Sequence, residues 1–196
     1  MSLIVSSAPS TEPVTLSEAK AHIRVDHNEL DDLINELITS ARQAAETFTN
    51  RTFVDTTFVY KINVFPHDGL VDSHILLPRS PVDSVSSVTY LDTAGSSQTL
   101  ATSVYEVDTS SLPGRVRLKF GQAWPNTQLH PEVVTITFIA GYGAASAVPN
   151  AIKVAVKMLV SDLYEHPEWR LDASPAVQDN PTARRLLMTE QVVESA

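Results

Sequence analysis

The first quarter of the chain carries two helix-start signals in succession, and no other feature of the sequence constrains the fold as strongly. Thr15 and Glu18 stand at the spacing of a capping box. In that arrangement the threonine hydroxyl accepts from the amide three residues on, and the glutamate carboxylate accepts from the threonine amide. Asp26 and Glu29 repeat the spacing. The sequence therefore predicts one helix that begins at Thr15 and a second that begins near Asp26.

The second of these helices is predicted to be long and amphipathic. Its apolar residues recur every three or four positions and so form one stripe along a helix: Leu30, Leu33, Ile34, Leu37, Ile38, Ala41, Ala44, Ala45 and Phe48. Asn50 follows this stripe, and asparagine is the usual substitute for glycine in the left-handed residue that ends many helices. Residues 14–52 are therefore predicted to be helical.

The period of the apolar residues changes in the middle of the chain. Apolar and polar residues alternate there in six or seven short segments, which indicates strands with one buried face. Turn-forming sequences separate the segments, for example at residues 92–95 and 113–114. The β-branched segment 133–139 is expected at the centre of the sheet. The pattern predicts an antiparallel β unit over residues 53–142.

Residues 149–165 are predicted to form a third helix. Pro149 stands at its start, where proline is favoured, and apolar residues continue at helical spacing as far as Leu163. The order of elements is helices, strands, helix, which predicts an α+β fold. The N-terminal and C-terminal helices are expected to pack as one helical layer, with the antiparallel β unit inserted between them. Residues 1–169 are predicted to form this single domain.

Both ends of the chain are expected to lack regular structure. Residues 1–12 are rich in Ser, Thr and Pro without periodicity and predict a flexible arm. Residues 170–196 are largely polar. A short helix within residues 182–193 is an alternative but weakly patterned, and we expect an extended tail that orders only on a partner. The chain lacks both the basic N-terminal region of a signal peptide and the ~20-residue apolar run of a membrane span. We therefore expect an intracellular protein with no membrane partner.

The charge of the chain argues against nucleic-acid binding. The 14 basic and 23 acidic residues give a formal net charge of −9. The densest basic group is Arg115, Arg117 and Lys119, whose alternate spacing places them on one face of a strand. Proteins that bind nucleic acid usually carry a larger basic patch, because contacts to phosphate supply most of the affinity. Specific recognition of DNA is therefore not expected.

No group of residues stands at a spacing typical of catalysis or metal binding. The histidines are scattered: His22, His27, His67, His74, His130 and His166. His22 and His27 lie on either side of an expected helix break, so we interpret them as solvated surface residues. A small intracellular enzyme would need a pocket around His67, Asp72 and His74, which are more simply a polar turn. The chain also lacks cysteine, which excludes thiolate metal sites. We predict no catalytic residue, metal ligand or cofactor.

The glycines before the third helix resemble a dinucleotide-binding loop only superficially. Gly141 and Gly143 follow a strand, but position 146 is serine and Pro149 intervenes before the helix. No parallel βαβ unit surrounds them, as such a loop requires. We interpret them as a turn that needs positive φ. Trp124 and Trp169 are interpreted as packed residues rather than ligand platforms.

Three later segments carry, with the opening helices, a resemblance to a known family. These are residues 77–95, 105–125 and 134–168. Together with residues 13–53 they follow the order of the family over residues 13–168. The chain resembles the head–tail connector proteins of tailed bacteriophages and related prophage-like particles, which are also called adaptor or head-completion proteins. Asn50 stands where many relatives carry glycine, and it is compatible with the same helix end.

The resemblance implies a structural protein of the virion neck, made in the host cytoplasm. Such adaptors form a homo-oligomeric ring, typically of about twelve subunits, beneath the portal protein. The ring extends the DNA channel and is the docking surface for a tail-side completion or terminator protein. Genomic DNA would pass through without specific binding. A tail-completion or neck protein of the same particle is the alternative, and the long helices argue against a carbohydrate-binding β module.

The resemblance also implies where the portal is bound. Connectors of this family often dock onto the portal through a C-terminal segment. The tail of this chain matches no family pattern from Leu171 onward. The expected contact residues are five consecutive residues of that tail: Arg184, Arg185, Leu186, Leu187 and Met188.

Overall fold

The computed structural model describes residues 1–66, 74–166 and 180–192. The chain divides into two compact units. One contains Met1–Pro9 and Asp55–Gly141, and the other contains Ser10–Val54 and Tyr142–Ala196. That residues 1–169 behave as a single domain stays a prediction. The α+β fold is confirmed, and within the described residues no helix is long and apolar enough to cross a membrane.

The helical unit contains four helices in the part of the chain that is described. They are α1 (Leu16–Ile23), α2 (Asp31–Thr49), α3 (Asn150–Glu165) and α4 (Pro181–Met188). α2 packs against α3, and α1 and α4 each contact both of them. Their shared core is built from the apolar stripes: Ile34, Leu37, Ile38, Ala41, Ala45, Ile152, Ala155, Val156, Leu159 and Val160, among others. The N-terminal and C-terminal helices thus form one helical layer, as predicted.

The capping box at the start of α1 is confirmed. The amide of Glu18 donates to the Thr15 hydroxyl at 3.2 Å, and the amide of Thr15 donates to the Glu18 carboxylate at 2.8 Å. The hydrogen bonds from the Thr15 amide and hydroxyl hold the pKa of Glu18 below its usual range. α1 ends at Arg24, which adopts the left-handed conformation with φ 59°.

The second capping box, predicted at Asp26 and Glu29, is wrong. α2 begins at Asp31, and the residue before it makes no capping hydrogen bond through its side chain. The connection is held instead by Lys20, whose Nζ donates to Asn28 at 2.7 Å and to Asp31 at 2.6 Å. A tertiary contact therefore sets the start of this helix. At its other end Asn50 is left-handed with φ 54°, as predicted.

The N-terminal part of the helical unit is anchored by a buried arginine. Arg42 of α2 is only 7% exposed. Its Nε lies 2.6 Å from Glu12 and its Nη1 lies 2.8 Å from Glu46. Burial alone would lower the Arg42 pKa, but the hydrogen bonds and charges of the two glutamates outweigh it and raise that pKa. The other Glu46 oxygen accepts from the Phe53 amide at 2.8 Å, which fixes the chain as it leaves α2.

The β unit contains two antiparallel sheets. The first has the order β1-β2-β8-β4-β5, and the second has the order β3-β7-β6. The strands are β1 (Ser2–Ser7), β2 (Thr56–Ile62), β3 (His74–Leu76), β4 (Val82–Leu91), β5 (Ser97–Thr99), β6 (Tyr105–Asp108), β7 (Arg115–Leu118) and β8 (Val134–Ala140). β8 is the middle strand of five. The prediction that this segment lies at the centre is confirmed.

A hydrophobic core of its own holds the β unit together. Val134, Ile136, Phe138 and Ala140 of β8 are all fully buried, because every second side chain of the strand points to the same face. Phe138 stacks on Phe58 of β2 with the ring centroids 5.4 Å apart.

The expectation of a flexible N-terminal arm is wrong for the first residues. Ser2–Ser7 form β1, which pairs with β2 so that Leu3 lies opposite Tyr60 and Val5 opposite Phe58. Leu3 packs against the core of the β unit. The pairing is possible because β2 would otherwise be an edge strand with unpaired backbone groups. The local sequence offers only three apolar residues as a signal.

The expectation of an extended C-terminal tail is wrong for residues 181–188, where the alternative of a short helix agrees with the structure. Residues 170–179 lie outside the described residues. Pro181–Met188 form α4, in which Ala183 and Leu187 are fully buried in the helical core. Val192 beyond it is 8% exposed. Tertiary burial of these apolar side chains stabilises a helix whose own pattern is weak.

Candidate assembly surfaces

The C-terminal segment is fixed at its start by an asparagine. The Asn180 side chain accepts from the amides of Thr182 at 3.1 Å and Ala183 at 2.9 Å, which caps α4. The same side chain donates from Nδ2 to Asp162 of α3 at 2.6 Å. Asn180 thus sets both the start of α4 and its position along α3.

A cluster of three polar side chains fixes the segment after α4. Arg51 donates from Nη1 to the Tyr142 hydroxyl at 2.7 Å, and that hydroxyl donates to Glu190 at 3.3 Å. Arg51 also donates from Nε to the Glu190 carbonyl. Burial raises the pKa of the Tyr142 phenol, so it remains a donor at neutral pH. The cluster holds the end of the described chain against the C-terminal end of α2.

Backbone groups complete this attachment. The Val192 amide donates to the Thr49 carbonyl at 2.9 Å, and the Gln191 side chain donates to the Phe48 carbonyl at 3.2 Å. Both acceptors lie in the last turn of α2, where carbonyls have no partner within the helix. The segment 189–192 therefore satisfies groups that α2 alone would leave to water.

The structure divides the five predicted portal-contact residues into two groups. Leu187 is fully buried and Leu186 is half-buried, so Leu187 belongs to the core of the helical unit. Arg184, Arg185 and Met188 are exposed. Residues three and four apart are neighbours on a helix surface, so these exposed side chains form one face of α4. We call this group the α4 face.

Two of the three cations in the basic row face carboxylates of the neighbouring strand. Arg117 lies opposite Glu106 and Arg115 lies opposite Asp108. The Arg117 Nε is 2.8 Å from the Glu106 carboxylate, and the Arg115 Nε is 3.9 Å from Asp108. The third member, Lys119, follows β7 and donates to the neutral Thr102 carbonyl at 2.8 Å, so it keeps its charge. The carboxylates of β6 therefore reduce the positive charge of the row at the two arginines.

The connection between β7 and β8 presents two fully exposed apolar side chains. Phe120 stands at the corner of a turn in which the Gln122 amide donates to the Lys119 carbonyl at 3.0 Å. Leu129 is exposed to the same degree. Trp124 between them is buried and stacks on Phe65, with the ring centroids 4.8 Å apart. The interpretation of Trp124 as a packed residue agrees with this geometry. The sequence analysis did not identify Phe120 and Leu129 as exposed residues, although a phenylalanine followed by glycine at a turn indicates exposure at position 120.

The two outer strands of the five-stranded sheet are further surface features. Ile4 and Val5 of β1 are 49% and 54% exposed, and all three residues of β5 are exposed. Ser2–Ser7 contain neither charge nor proline, the residues that usually protect an exposed edge.

A family model that describes phage gp6-like head-tail connector proteins matches residues 13–113, more than half of the chain. The chain belongs to this family. Its role as a structural connector follows from that membership. No curated protein shows a significant match to the sequence.

Solved structures share the fold of this connector over its whole length. One is a chain from the neck of an empty gene transfer agent (GTA) particle computed with C6 symmetry, with a TM-score of 0.80 and 21% identity. Another is from the neck of the native GTA particle computed with C12 symmetry, with a TM-score of 0.75 and 22% identity. Each match covers 100% of this chain and 98% of the other.

The described part of the connector brings together no group suited to chemistry. No cluster of acidic residues and histidines that could hold a metal occurs among the described residues. His27 lies 2.6 Å from Glu29 on the surface, and His74 lies in β3, whereas His67, Asp72 and Trp169 lie outside the described residues. Gly141 and Gly143 have φ values of 146° and 95°, which confirms a turn that needs positive φ.

Proposed function

We propose that this connector forms a ring in the neck of a tailed, phage-like particle, between the portal and the tail-side proteins, and that it acts without catalysis. The observation that carries the proposal is the fold, shared over 100% of the chain with neck proteins of a particle, in a chain whose family is that of head–tail connectors. Those neck structures were computed with C6 and C12 symmetry, which favours a ring of twelve copies.

The charge distribution suits a ring that surrounds DNA. The chain has a formal net charge of −9, and two cations of its densest basic row, Arg115 and Arg117, face carboxylates within the protein. Clustered free cations would bind the phosphate backbone and slow its passage. An acidic ring lets the genomic DNA pass without specific binding.

The α4 face is the proposed contact with the portal. Arg184 and Arg185 supply positive charge and Met188, 53% exposed, supplies an adaptable apolar surface. Leu187 is buried in the core of the helical unit and so fixes α4 in place. The portal partner is therefore expected to offer acidic side chains around an apolar depression. A tail-side completion or terminator protein would bind another surface of the ring.

Native mass spectrometry of the connector, alone and mixed with the portal protein of the same particle, tests the proposal. We expect a ring of about twelve copies, or a complex with one connector per portal subunit. A monomer that ignores the portal would contradict the proposal and would favour a tail-completion role.

The portal contact is tested separately by substituting the exposed residues alone. The triple variant Arg184→Ala, Arg185→Ala, Met188→Ala should lose portal binding at least tenfold, while its circular dichroism and thermal midpoint stay close to those of the wild type. Deleting residues 180–196 is a poorer test, since Leu187 and Val192 belong to the core. The matched control is Thr182→Ala, an exposed position outside the α4 face. Unchanged binding by the triple variant would rule out this contact.

A further inference from the structure

β1 has the features of an edge strand that pairs with a strand of another subunit. As the first strand of the order β1-β2-β8-β4-β5, it pairs with a single strand among the described residues. Its sequence is Ser-Leu-Ile-Val-Ser-Ser, without the charge or proline by which proteins blunt exposed edges. Its pairing with β2 is irregular between Val5 and Ser7, and the regular part of the strand is Ser2–Val5. Ile4 and Val5 point to opposite faces because they are consecutive in a strand. Both faces of this edge are therefore apolar and half-exposed.

The same sheet has a second outer strand at its other end. β5 consists of Ser97, Gln98 and Thr99, all exposed and all uncharged. Every neighbouring pair in the sheet is antiparallel. Four antiparallel steps separate β1 from β5, so the two outer strands run in the same direction.

The hairpin of β4 and β5 shows which backbone amides and carbonyls of β5 face away from the sheet. The Asp92 amide donates to the Ser96 carbonyl and the Leu100 amide donates to the Val88 carbonyl. Hydrogen-bonded and non-hydrogen-bonded pairs alternate along an antiparallel ladder, so Gln98 faces β4. Ser97 and Thr99 therefore direct their amides and carbonyls away from the sheet.

We propose that β1 of one copy pairs in parallel with β5 of the next copy, so that the five-stranded sheets continue around the ring. This inference rests on the proposed ring. A ring needs two different surfaces on each subunit that meet head to tail, and the outer strands at opposite ends of one sheet meet that need. Their common direction gives the parallel pairing under rotation about a ring axis. Pairing of β1 with a second β1 about a two-fold axis would stop at a dimer and leave β5 open.

Cysteine cross-linking tests the juxtaposition directly, because the natural chain contains no cysteine. Double variants combine Leu3→Cys, Ile4→Cys or Val5→Cys with Ser97→Cys or Thr99→Cys and are treated with a short bis-maleimide. We expect a ladder of products beyond the dimer on a denaturing gel from at least one pair. Single variants should give no product. A dimer from Ile4→Cys alone, or no ladder from any pair in an assembled ring, would overturn the pairing.

A matched pair of lysine variants tests its energetic importance. Val5→Lys places a charge on the proposed interface, whereas Val64→Lys places the same charge on a residue outside any strand. The two valines are 54% and 52% exposed. We expect Val5→Lys to weaken ring assembly at least tenfold, with Val64→Lys unchanged and similar thermal midpoints for both.

A proline variant tests the other side of the contact. Thr99→Pro removes an amide that faces away from the sheet, a position where an edge strand tolerates proline. It should also weaken assembly at least tenfold. If wild-type rings form and the Val5→Lys and Thr99→Pro variants assemble normally, the pairing is refuted and the ring stands. If the wild type never assembles, even with the portal, the proposed function itself fails and takes the pairing with it.

Discussion

β1 and α4, the first and last elements of the described chain, are held in place by different forces. α4 is held through side chains: Leu187 is buried in the helical core, and Asn180 and Arg51 fix the segment on either side. β1 is held mainly through its backbone ladder with β2, and Ile4 and Val5 remain half-exposed. A segment held by buried side chains is complete within its own subunit. A segment held by one side of its backbone keeps the other side available for another strand.

The largest effect that separates the two ends is expected from Leu187→Ala. Truncating a buried leucine costs about 2–5 kcal/mol through lost burial and the cavity left behind. We expect the free energy of unfolding, measured by urea titration with far-UV circular dichroism, to fall by about 3 kcal/mol. Ile4→Ala, the matched truncation in β1, should cost less than about 1 kcal/mol because half of that side chain is already in water. Equal losses would refute the contrast between the two ends.

A smaller effect is expected from Arg51→Ala. It removes the donor shared by Tyr142 and Glu190 and should cost about 1–3 kcal/mol, the usual range for unpairing partly buried polar groups. Hydrogen exchange should show faster exchange of the Val192 amide, which donates to Thr49, with little change in β1. The control is Arg185→Ala, an exposed arginine of α4. If Val192 stays protected in the Arg51→Ala variant, side-chain anchoring is not what holds this end.

The smallest effect concerns pH and the start of β1. The Ser2 hydroxyl donates to Glu132 at 2.8 Å, and this hydrogen bond, helped by Lys61, lowers the pKa of Glu132 from its ordinary value of 4.5. A carboxylate with a lowered pKa stabilises the folded state above its unfolded pKa, and that contribution is lost as the pH falls through the folded value.

NMR of the unassembled chain can detect this loss. The Leu3 amide signal should shift as the pH falls below about 4.5. In Glu132→Gln the shift of Leu3 over this range should disappear. A pH response of Leu3 that persists in that variant would show that another group titrates at this end.

The sequence predictions were correct where the deciding interaction lies within a few residues and wrong where it joins distant parts of the chain. Thr15 and Glu18 form their capping box within four residues, and Asn50 ends α2 by its own backbone preference. β8 was placed at the sheet centre because its residues are strongly β-branched and apolar. The α2 start was misplaced because Lys20 holds Asn28 and Asp31 across the connection. That contact is visible only once α1 and α2 pack together.

The candidate surfaces show the same division. The portal contact at residues 184–188 was predicted from the resemblance to connectors and stays a prediction, and the pattern of these residues could not show that Leu187 belongs to the core. The exposed tips Phe120 and Leu129 were missed because hydrophobicity alone does not tell a buried residue from an exposed one. Solvent exposure is decided by which parts of the fold pack nearby, and the local sequence does not record that.

The sequence by itself determined the α+β class, the α1 capping box, the two apolar helix stripes, the central position of β8 and the resemblance to head–tail connectors. Each depends on residue type and on spacing within one element, where propensity and periodicity act. Tertiary structure alone decided that residues 2–7 form β1 and where α2 begins, and it decided between an extended tail and a weakly patterned helix at residues 181–188. In those segments the local preference is weak, and the stabilising partner is β2, α3 or Lys20, which the fold brings into contact.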